Sequence, residues 1–225
     1  MIKAVLFDLD GTLLNRDESL KCFINNQYER LSKWIGHIPK DQYTERFIEL
    51  DNRGYVWKDK VYQQLTREFH ISNLTWEELL DDYIGKFRYN CVPFDHLIQT
   101  LDALKSSGIH LGMITNGYGH FQMENIKALG IDSYLDIILI SEWEGIKKPD
   151  PDIFKKALSR LHVLPEQSIF VGDHPINDVQ AAKSIGMKGI WKRDPQWEKV
   201  AADYTIGNLN ELPFVIKELM SRDAE

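Results

Sequence analysis

Ala4-Val5-Leu6-Phe7-Asp8-Leu9-Asp10-Gly11-Thr12, near the start of the chain, is an apolar run that ends abruptly in carboxylates. Four consecutive apolar residues of this kind are typical of a strand that is buried on both faces. The Asp, Gly and Thr residues that follow are frequent in turns. The stretch therefore predicts a buried first strand whose carboxyl end presents Asp8 and Asp10.

Strand and helix patterns alternate along the chain after Pro93. Short apolar runs predict strands at residues 109–114, 137–140, 169–171 and 189–191, and helical spacing predicts helices near 97–104 and over 121–129, 151–161, 178–185 and 212–220. Strands separated by helices predict a doubly wound, mostly parallel, Rossmann-like sheet of the α/β class. Ligands of such sheets bind outside the carboxyl ends of the strands.

Residues 17–91 interrupt this alternation with amphipathic helix patterns and no alternating strand pattern. Thr75 and Glu78 have the spacing of a capping box that opens one of these helices. We expect four or five helices here. The predicted domains are therefore an α/β core, residues 1–16 and 92–225, and an inserted α-helical domain, residues 17–91.

Composition and charge exclude several classes of protein. Of 225 residues, 43% are hydrophobic and 27% are charged, which is typical of a folded globular protein. The 27 Lys and Arg residues against 34 Asp and Glu residues give a net charge of -7, the wrong sign for a binder of nucleic acid or of anionic membranes. With neither a signal-peptide core nor a membrane-length apolar run, we expect a cytoplasmic protein. We also expect a monomer or a homodimer.

Polar groups follow the predicted strands at their carboxyl ends, where parallel strands meet at one edge of the sheet. They are Asp8 and Asp10, Thr115-Asn116-Gly117, and Asp173 with Asp178, while Lys148 follows in the loop after residue 140. Carboxylates can attack phosphorus or bind Mg²⁺, and a lysine with hydroxyl and N–H donors can hold phosphate oxygens. The constellation indicates phosphoryl transfer.

In these residues the chain resembles the haloacid dehalogenase (HAD) superfamily of aspartate-nucleophile hydrolases. Four motifs of that superfamily occur in order, namely Asp8-Leu9-Asp10-Gly11-Thr12, Thr115-Asn116, Lys148-Pro149, and Gly172-Asp173 followed by Asp178. The resemblance covers the whole chain. It implies that residues 17–91 form a helical cap, inserted between the first two motifs.

The resemblance implies a catalytic role for four residues. Asp8 would be the nucleophile that forms an aspartyl-phosphate, and Asp10 would protonate the leaving oxygen and then activate the hydrolytic water. Thr115 would hold phosphate oxygens, and Lys148 would pair with both Asp8 and the phosphate. Asp10 favours phosphate esters as substrates, because members that cleave carbon–halogen or carbon–phosphorus bonds lack an acid there.

The resemblance also implies a phosphate cradle and a metal site. Leu9, Asn116 and Gly117 would contribute to phosphate binding. Mg²⁺ would be bound by Asp8, by the backbone carbonyl of Asp10, by Asp173, and by Asp178 directly or through water.

Substrate specificity would then come from the inserted domain. Residues 51–58 interrupt the helical pattern and gather cations and aromatics, so Arg53 and Trp57 are candidate substrate-binding residues. The alternative is an ordinary turn between helices, with Trp57 packed in the domain.

We therefore expect a Mg²⁺-dependent phosphatase that acts on a small phosphomonoester, namely a nucleoside monophosphate, a sugar phosphate or phosphoglycolate. A phosphosugar mutase remains an alternative because it would use the same acid, Asp10. A non-enzymatic phosphoacceptor module is a further alternative, although Asp10 and the predicted cap favour turnover. A dinucleotide oxidoreductase is disfavoured, because Gln122 stands where the third glycine of a G-x-G-x-x-G pattern should be.

Overall fold

A computed structural model describes residues 1–222. The chain divides into two compact units, of which one contains Met1–Asn15 and the chain from Pro93 onward, and the other contains Arg16–Val92. The segment predicted as an inserted domain, residues 17–91, lies within the second unit. Its role as a cap stays a prediction.

The first unit is built on a six-stranded parallel sheet. Its strands are β1 (Ala4–Phe7), β2 (His110–Thr115), β3 (Ile137–Ile140), β4 (Ser168–Gly172), β5 (Lys188–Lys192) and β6 (Tyr204–Ile206). They lie in the order β3-β2-β1-β4-β5-β6, and every pairing is parallel. This confirms the predicted α/β class. Because β1 lies between β2 and β4, residues at the carboxyl ends of these three strands are neighbours.

The second unit is helical. Its helices are α1 (Arg16–Ile35), α2 (Lys40–Asp51), α3 (Lys58–Glu68) and α4 (Trp76–Lys86), with short 3-10 turns at Asn52–Gly54 and Phe87–Asn90. The predicted capping box opens α4: Glu78 N–H donates to Thr75 Oγ1 (3.2 Å), and Thr75 N–H donates to Glu78 Oε2 (2.7 Å). Aromatic residues on the inner faces pack together, as in the edge-to-face pair of Phe23 and Tyr83 at 5.0 Å.

Six further α-helices belong to the first unit. They are α5 (Leu97–Ser106), α6 (Gly119–Ala128), α7 (Ser141–Glu144), α8 (Pro151–Leu161), α9 (Ala181–Ser184) and α10 (Leu212–Arg222). The apolar face of α8 buries Phe154, whose ring meets Phe170 of β4 edge-on at 5.0 Å. No helix in the described chain is both long enough and apolar enough to cross a membrane.

The structure differs from the sequence prediction at the edge of the sheet, after β4, and at α7, a helix of four residues that is too short to leave a helical pattern. Strand β6 was not predicted, because it has only three residues at the edge of the sheet and buries only Ile206. The helix predicted over residues 178–185 is instead a π-helical turn, Pro175–Gln180, followed by α9. This turn lies so close to β4 that a Cβ on Gly172 would overlap the side chain of Asp178. The close approach is a tertiary feature without a local sequence signal.

Candidate active site

The carboxyl ends of the three central strands bring the predicted site residues together. Asp8 directly follows β1, Thr115 is the last residue of β2, and Asp173 directly follows β4. Asp8 and Thr115 are buried, and Asp173 is half-buried. The strand order therefore accounts for the convergence of residues that are far apart in the chain.

Lys148 is a buried cation between two of the carboxylates. Its ammonium donates to Asp8 Oδ1 at 2.6 Å and to Asp178 Oδ1 at 2.7 Å, and only 3% of the residue is exposed. The side chain of Asn116 holds this loop, because its Nδ2 donates to the Lys148 carbonyl and its Oδ1 accepts from the Lys148 N–H, both at 2.9 Å. The side-chain amide of Asn116 thus positions Lys148, while phosphate binding by Asn116 stays a prediction.

Asp8, Asp173 and Asp178 form an acidic cluster. One carboxylate oxygen from each lies within 4.8 Å of the other two, a spacing at which the three could hold a metal ion. Hydrogen bonds to both of its oxygens fix the orientation of the Asp178 carboxylate. Its Oδ1 accepts from Lys148, and its Oδ2 accepts from the His174 N–H at 2.9 Å. Carboxylate oxygens suit a hard divalent cation. The donor set therefore fits Mg²⁺.

Burial and mutual repulsion perturb the charges of this cluster. Burial raises the pKa of Asp8 above its usual range, an effect that Lys148 opposes and Asp178 and Asp10 reinforce. Burial, together with the charges of Asp8 and Asp178, also raises the pKa of Asp173. For Lys148, burial lowers the pKa, but the two facing carboxylates more than offset this and raise it above the usual lysine value. The cluster therefore favours bound positive charge.

Gln122 of α6 is a residue that the sequence analysis did not predict in the site. Its Nε2 donates to Asp10 Oδ2 at 2.6 Å and to Thr115 Oγ1 at 2.8 Å. In the sequence it stands out only because it occupies the position of the third glycine in a G-x-G-x-x-G pattern. The available signal was a pair of polar residues, Gln122 and Asn125, which lie three apart on the buried face of α6.

Lys192, at the end of β5, was also missed. Its ammonium donates to the Gly11 carbonyl at 3.1 Å and lies 3.2 Å from the centroid of the Phe94 ring. Burial lowers the pKa of Lys192 to about 8, against the opposing charges of Asp173 and Asp194. Through its hydrogen bond to the Gly11 carbonyl, Lys192 stabilises the turn that follows Asp10.

The other residues predicted to bind phosphate lie in tight turns of the first unit. Leu9 is buried, and its carbonyl accepts hydrogen bonds from the N–H groups of residues 12–14. Gly117 has a φ of 148° and donates its N–H to Ser141 Oγ at 2.9 Å. Their contacts with phosphate stay predictions.

Arg53 and Trp57 lie in the second unit, within a turn that is anchored by a buried carboxylate. Asp51 accepts hydrogen bonds from Arg16 and Gly54 and forms an ion pair with Lys58. The Arg53 side chain is 40% exposed, and Trp57 is half-buried with its ring edge-on to another aromatic ring at 6.2 Å. Part of the unusual composition of residues 51–58 therefore serves this internal ion cluster.

Comparisons with known proteins agree on one family. The sequence model described as haloacid dehalogenase-like hydrolase matches residues 5–192. A glyceraldehyde 3-phosphate phosphatase of Pyrococcus furiosus is 32% identical, over 100% of this chain and 97% of that protein. A phosphoglycolate phosphatase of Salmonella typhimurium is also 32% identical, over 84% of this chain and 80% of that protein. The crystal structure of a HAD phosphatase from Thermococcus onnurineus superposes with a TM-score of 0.68 at 31% identity, covering 96% of this chain and 98% of that one.

Proposed function

The chain belongs to the haloacid dehalogenase-like hydrolases, and from this premise we propose that it is a phosphatase that hydrolyses a small phosphomonoester through an aspartyl-phosphate on Asp8. The observation that carries the proposal is the contact of Lys148 with Asp8 at 2.6 Å, within a group of three carboxylates. A buried carboxylate beside a fixed ammonium can approach a phosphate dianion that it would otherwise repel.

The proposed reaction has two steps. In the first, the Asp8 carboxylate attacks phosphorus, the bond from phosphorus to the ester oxygen breaks, and Asp10 gives a proton to the departing oxygen. In the second, a water molecule attacks the phosphorus of the aspartyl-phosphate, Asp10 takes a proton from that water, and Asp8 is released. Lys148 and the Thr115 hydroxyl hold the phosphate oxygens throughout.

We propose that Asp8, Asp173 and the Asp10 carbonyl bind Mg²⁺, and that Asp178 binds it directly or through water. A bound Mg²⁺ would supply positive charge that offsets the repulsion between the nucleophile and the phosphate. The spacing of the acidic cluster and the raised carboxyl pKa values of Asp8 and Asp173 support this assignment, because both favour a bound cation.

We expect Mg²⁺ to raise the midpoint of thermal unfolding, because it would relieve repulsion among buried carboxylates. At a concentration of about 100 times the dissociation constant, the gain in unfolding free energy is about 2.7 kcal/mol. Asp173→Asn should remove most of this gain together with the Mg²⁺ dependence of phosphate release. Asp152→Asn, which changes an exposed carboxylate on α8, is the matched control. An undiminished gain in Asp173→Asn would contradict the ligand assignment.

The names of the relatives support a small substrate. The relatives are phosphatases of glyceraldehyde 3-phosphate and of phosphoglycolate, which are short molecules that carry no nucleobase and are not polymers. We propose that the substrate of this chain is a sugar phosphate of similar size. We also propose that Arg53 and Trp57 contribute to substrate selection. A nucleoside monophosphate is the competing substrate class, because Trp57 could stack on a base.

The deciding experiment is phosphate release from glyceraldehyde 3-phosphate, phosphoglycolate, nucleoside monophosphates and p-nitrophenyl phosphate, with Mg²⁺ or with EDTA. We expect Mg²⁺-dependent release that is highest with a short sugar phosphate. Trp57→Ala should change the preference between sugar phosphates and nucleotides; an equal effect on both would remove the argument for stacking. Absence of release from every compound would contradict the phosphatase proposal.

Asp10→Asn should lower kcat/KM for an alkyl phosphate by about 10² to 10⁴-fold, because the alkoxide must then leave without a proton. The loss should be smaller with p-nitrophenyl phosphate, whose leaving group is stable as an anion. Steady-state kinetics with both substrates tests this. Equal losses on the two substrates would argue against Asp10 as the general acid.

A further inference from the structure

Gln122 contacts both a proposed proton donor and a proposed phosphate ligand. The residue is 3% exposed, and its Nε2 lies 2.6 Å from Asp10 Oδ2 and 2.8 Å from Thr115 Oγ1. A third, longer contact of 3.3 Å joins Nε2 to the Asn116 carbonyl. The buried amide of Gln122 therefore restrains the side chains of both Asp10 and Thr115.

The orientation of this amide is determined by its neighbours. The nitrogen of Gln122 is the atom that faces Asp10 Oδ2, and an amide nitrogen can only donate a hydrogen bond. The oxygen of Gln122 in turn accepts from Asn125 Nδ2 at 3.3 Å. The stem is confined as well, because a Cβ on Gly117 would lie 2.9 Å from Gln122 Cγ.

We propose that Gln122 is a positioning residue that sets the direction of proton transfer at Asp10 and of hydrogen bonding at Thr115, an inference that rests on the proposed phosphatase activity. The amide nitrogen donates to Asp10 Oδ2 and cannot take a proton from it. The transferred proton therefore resides on the other oxygen, Oδ1.

The same amide orients the Thr115 hydroxyl. Because Thr115 Oγ1 accepts a hydrogen from Gln122, the hydroxyl hydrogen is directed away from α6. The other contact of this hydroxyl, with the Asn116 carbonyl, is long at 3.5 Å. The hydroxyl hydrogen thus remains available to a phosphate oxygen. Gln122 therefore orients both the proposed general acid, Asp10, and a proposed hydrogen-bond donor to phosphate, Thr115.

The effects of Gln122 on Thr115 and on Asp10 can be distinguished by comparing substrates with different leaving groups. Loss of order at Thr115 weakens the hold on phosphate for every substrate, whereas loss of order at Asp10 matters only where the leaving oxygen needs a proton. We expect Gln122→Leu to lower kcat/KM by about 10²-fold for an alkyl phosphate such as glyceraldehyde 3-phosphate, and by about 10-fold or less for p-nitrophenyl phosphate.

Gln122→Glu is the second variant, because it keeps the size of the side chain and its acceptor for Asn125. It places a carboxyl oxygen 2.6 Å from Asp10 Oδ2. Two carboxyl groups this close share one proton instead of both ionising, so the proton of Asp10 should be held between them and the same selective loss should result. Lys127→Gln, on the exposed face of α6, is the control and should leave both rates unchanged. Thermal unfolding establishes which variants are folded.

Equal losses on the two substrates in the folded variants would overturn the assignment to Asp10, as would wild-type rates on both. Failure of the phosphatase proposal is distinguishable, because the wild-type protein would then release phosphate from neither compound.

Discussion

Asp8→Asn is expected to abolish phosphate release, with a loss of about 10⁴-fold or more, while the protein remains folded. The asparagine amide is not a nucleophile toward phosphorus, but its oxygen can still accept the hydrogen bond from Lys148. The substitution should not lower the metal-free stability at neutral pH. Burial raises the pKa of Asp8 in the folded protein, so the carboxyl group contributes less and less to stability as the pH rises through this raised pKa. An uncharged asparagine avoids that loss.

The measurement is phosphate release together with thermal unfolding of the same preparation. Asp152→Asn again provides a carboxylate-to-amide change at an exposed position. Release at a rate within 10-fold of the wild type would refute Asp8 as the nucleophile.

Lys148→Met is expected to cause the largest loss of stability, about 3–5 kcal/mol at neutral pH, and to remove activity. Without the ammonium, Asp8 and Asp178 lose a partner at 2.6 and 2.7 Å and face each other and Asp173 inside the protein. Neutralising one partner of a buried ionic group leaves uncompensated charge, which is costly in a medium of low polarity.

The stability loss should depend on pH. Lys148 lowers the pKa of both Asp8 and Asp173, so in the variant these carboxyl groups should hold their protons to higher pH. A carboxyl group with a raised pKa is protonated in the folded state at low pH, where no charge repulsion acts, and stability is lost as the pH rises through that pKa. Lys148→Met should therefore be less destabilising at pH 5 than at pH 8.

Urea unfolding at the two pH values tests this expectation. Lys147→Met changes the adjacent, exposed lysine and is expected to have little effect at either pH. If Lys148→Met lowers the free energy of unfolding by the same amount at pH 5 and at pH 8, then lost packing and not unpaired charge is the main cause.

Short-range signals predicted most of the elements. The apolar run of β1 and the helix Pro151–Leu161 lie where the sequence indicates, because burial and turn-forming residues leave a mark on neighbouring positions. The capping box of α4 was likewise readable, since its two partners are three residues apart. Strand β6 was not, because a three-residue strand with one buried residue lacks a distinctive pattern.

The predicted site residues could be named from the sequence for a related reason. Asp8, Thr115 and Asp173 stand at the ends of strand patterns, and the ends of parallel strands meet at one edge. In contrast, Gln122 lies within a helix and meets Asp10, 112 residues away in sequence. The polar pair Gln122 and Asn125 on the buried face of α6 indicates that these side chains have polar partners, but it does not identify Asp10 as one of them.

Sequence was thus sufficient for the α/β class and for the functional groups that converge at the sheet edge, because buried runs and turn residues act over a few positions. Packing of elements from distant parts of the chain determined how those groups are held. Asn116 secures the loop of Lys148, and Gln122 orients Asp10 and Thr115. A buried polar group must find a partner wherever the fold supplies one, and that partner is defined only once the strands and helices are in place.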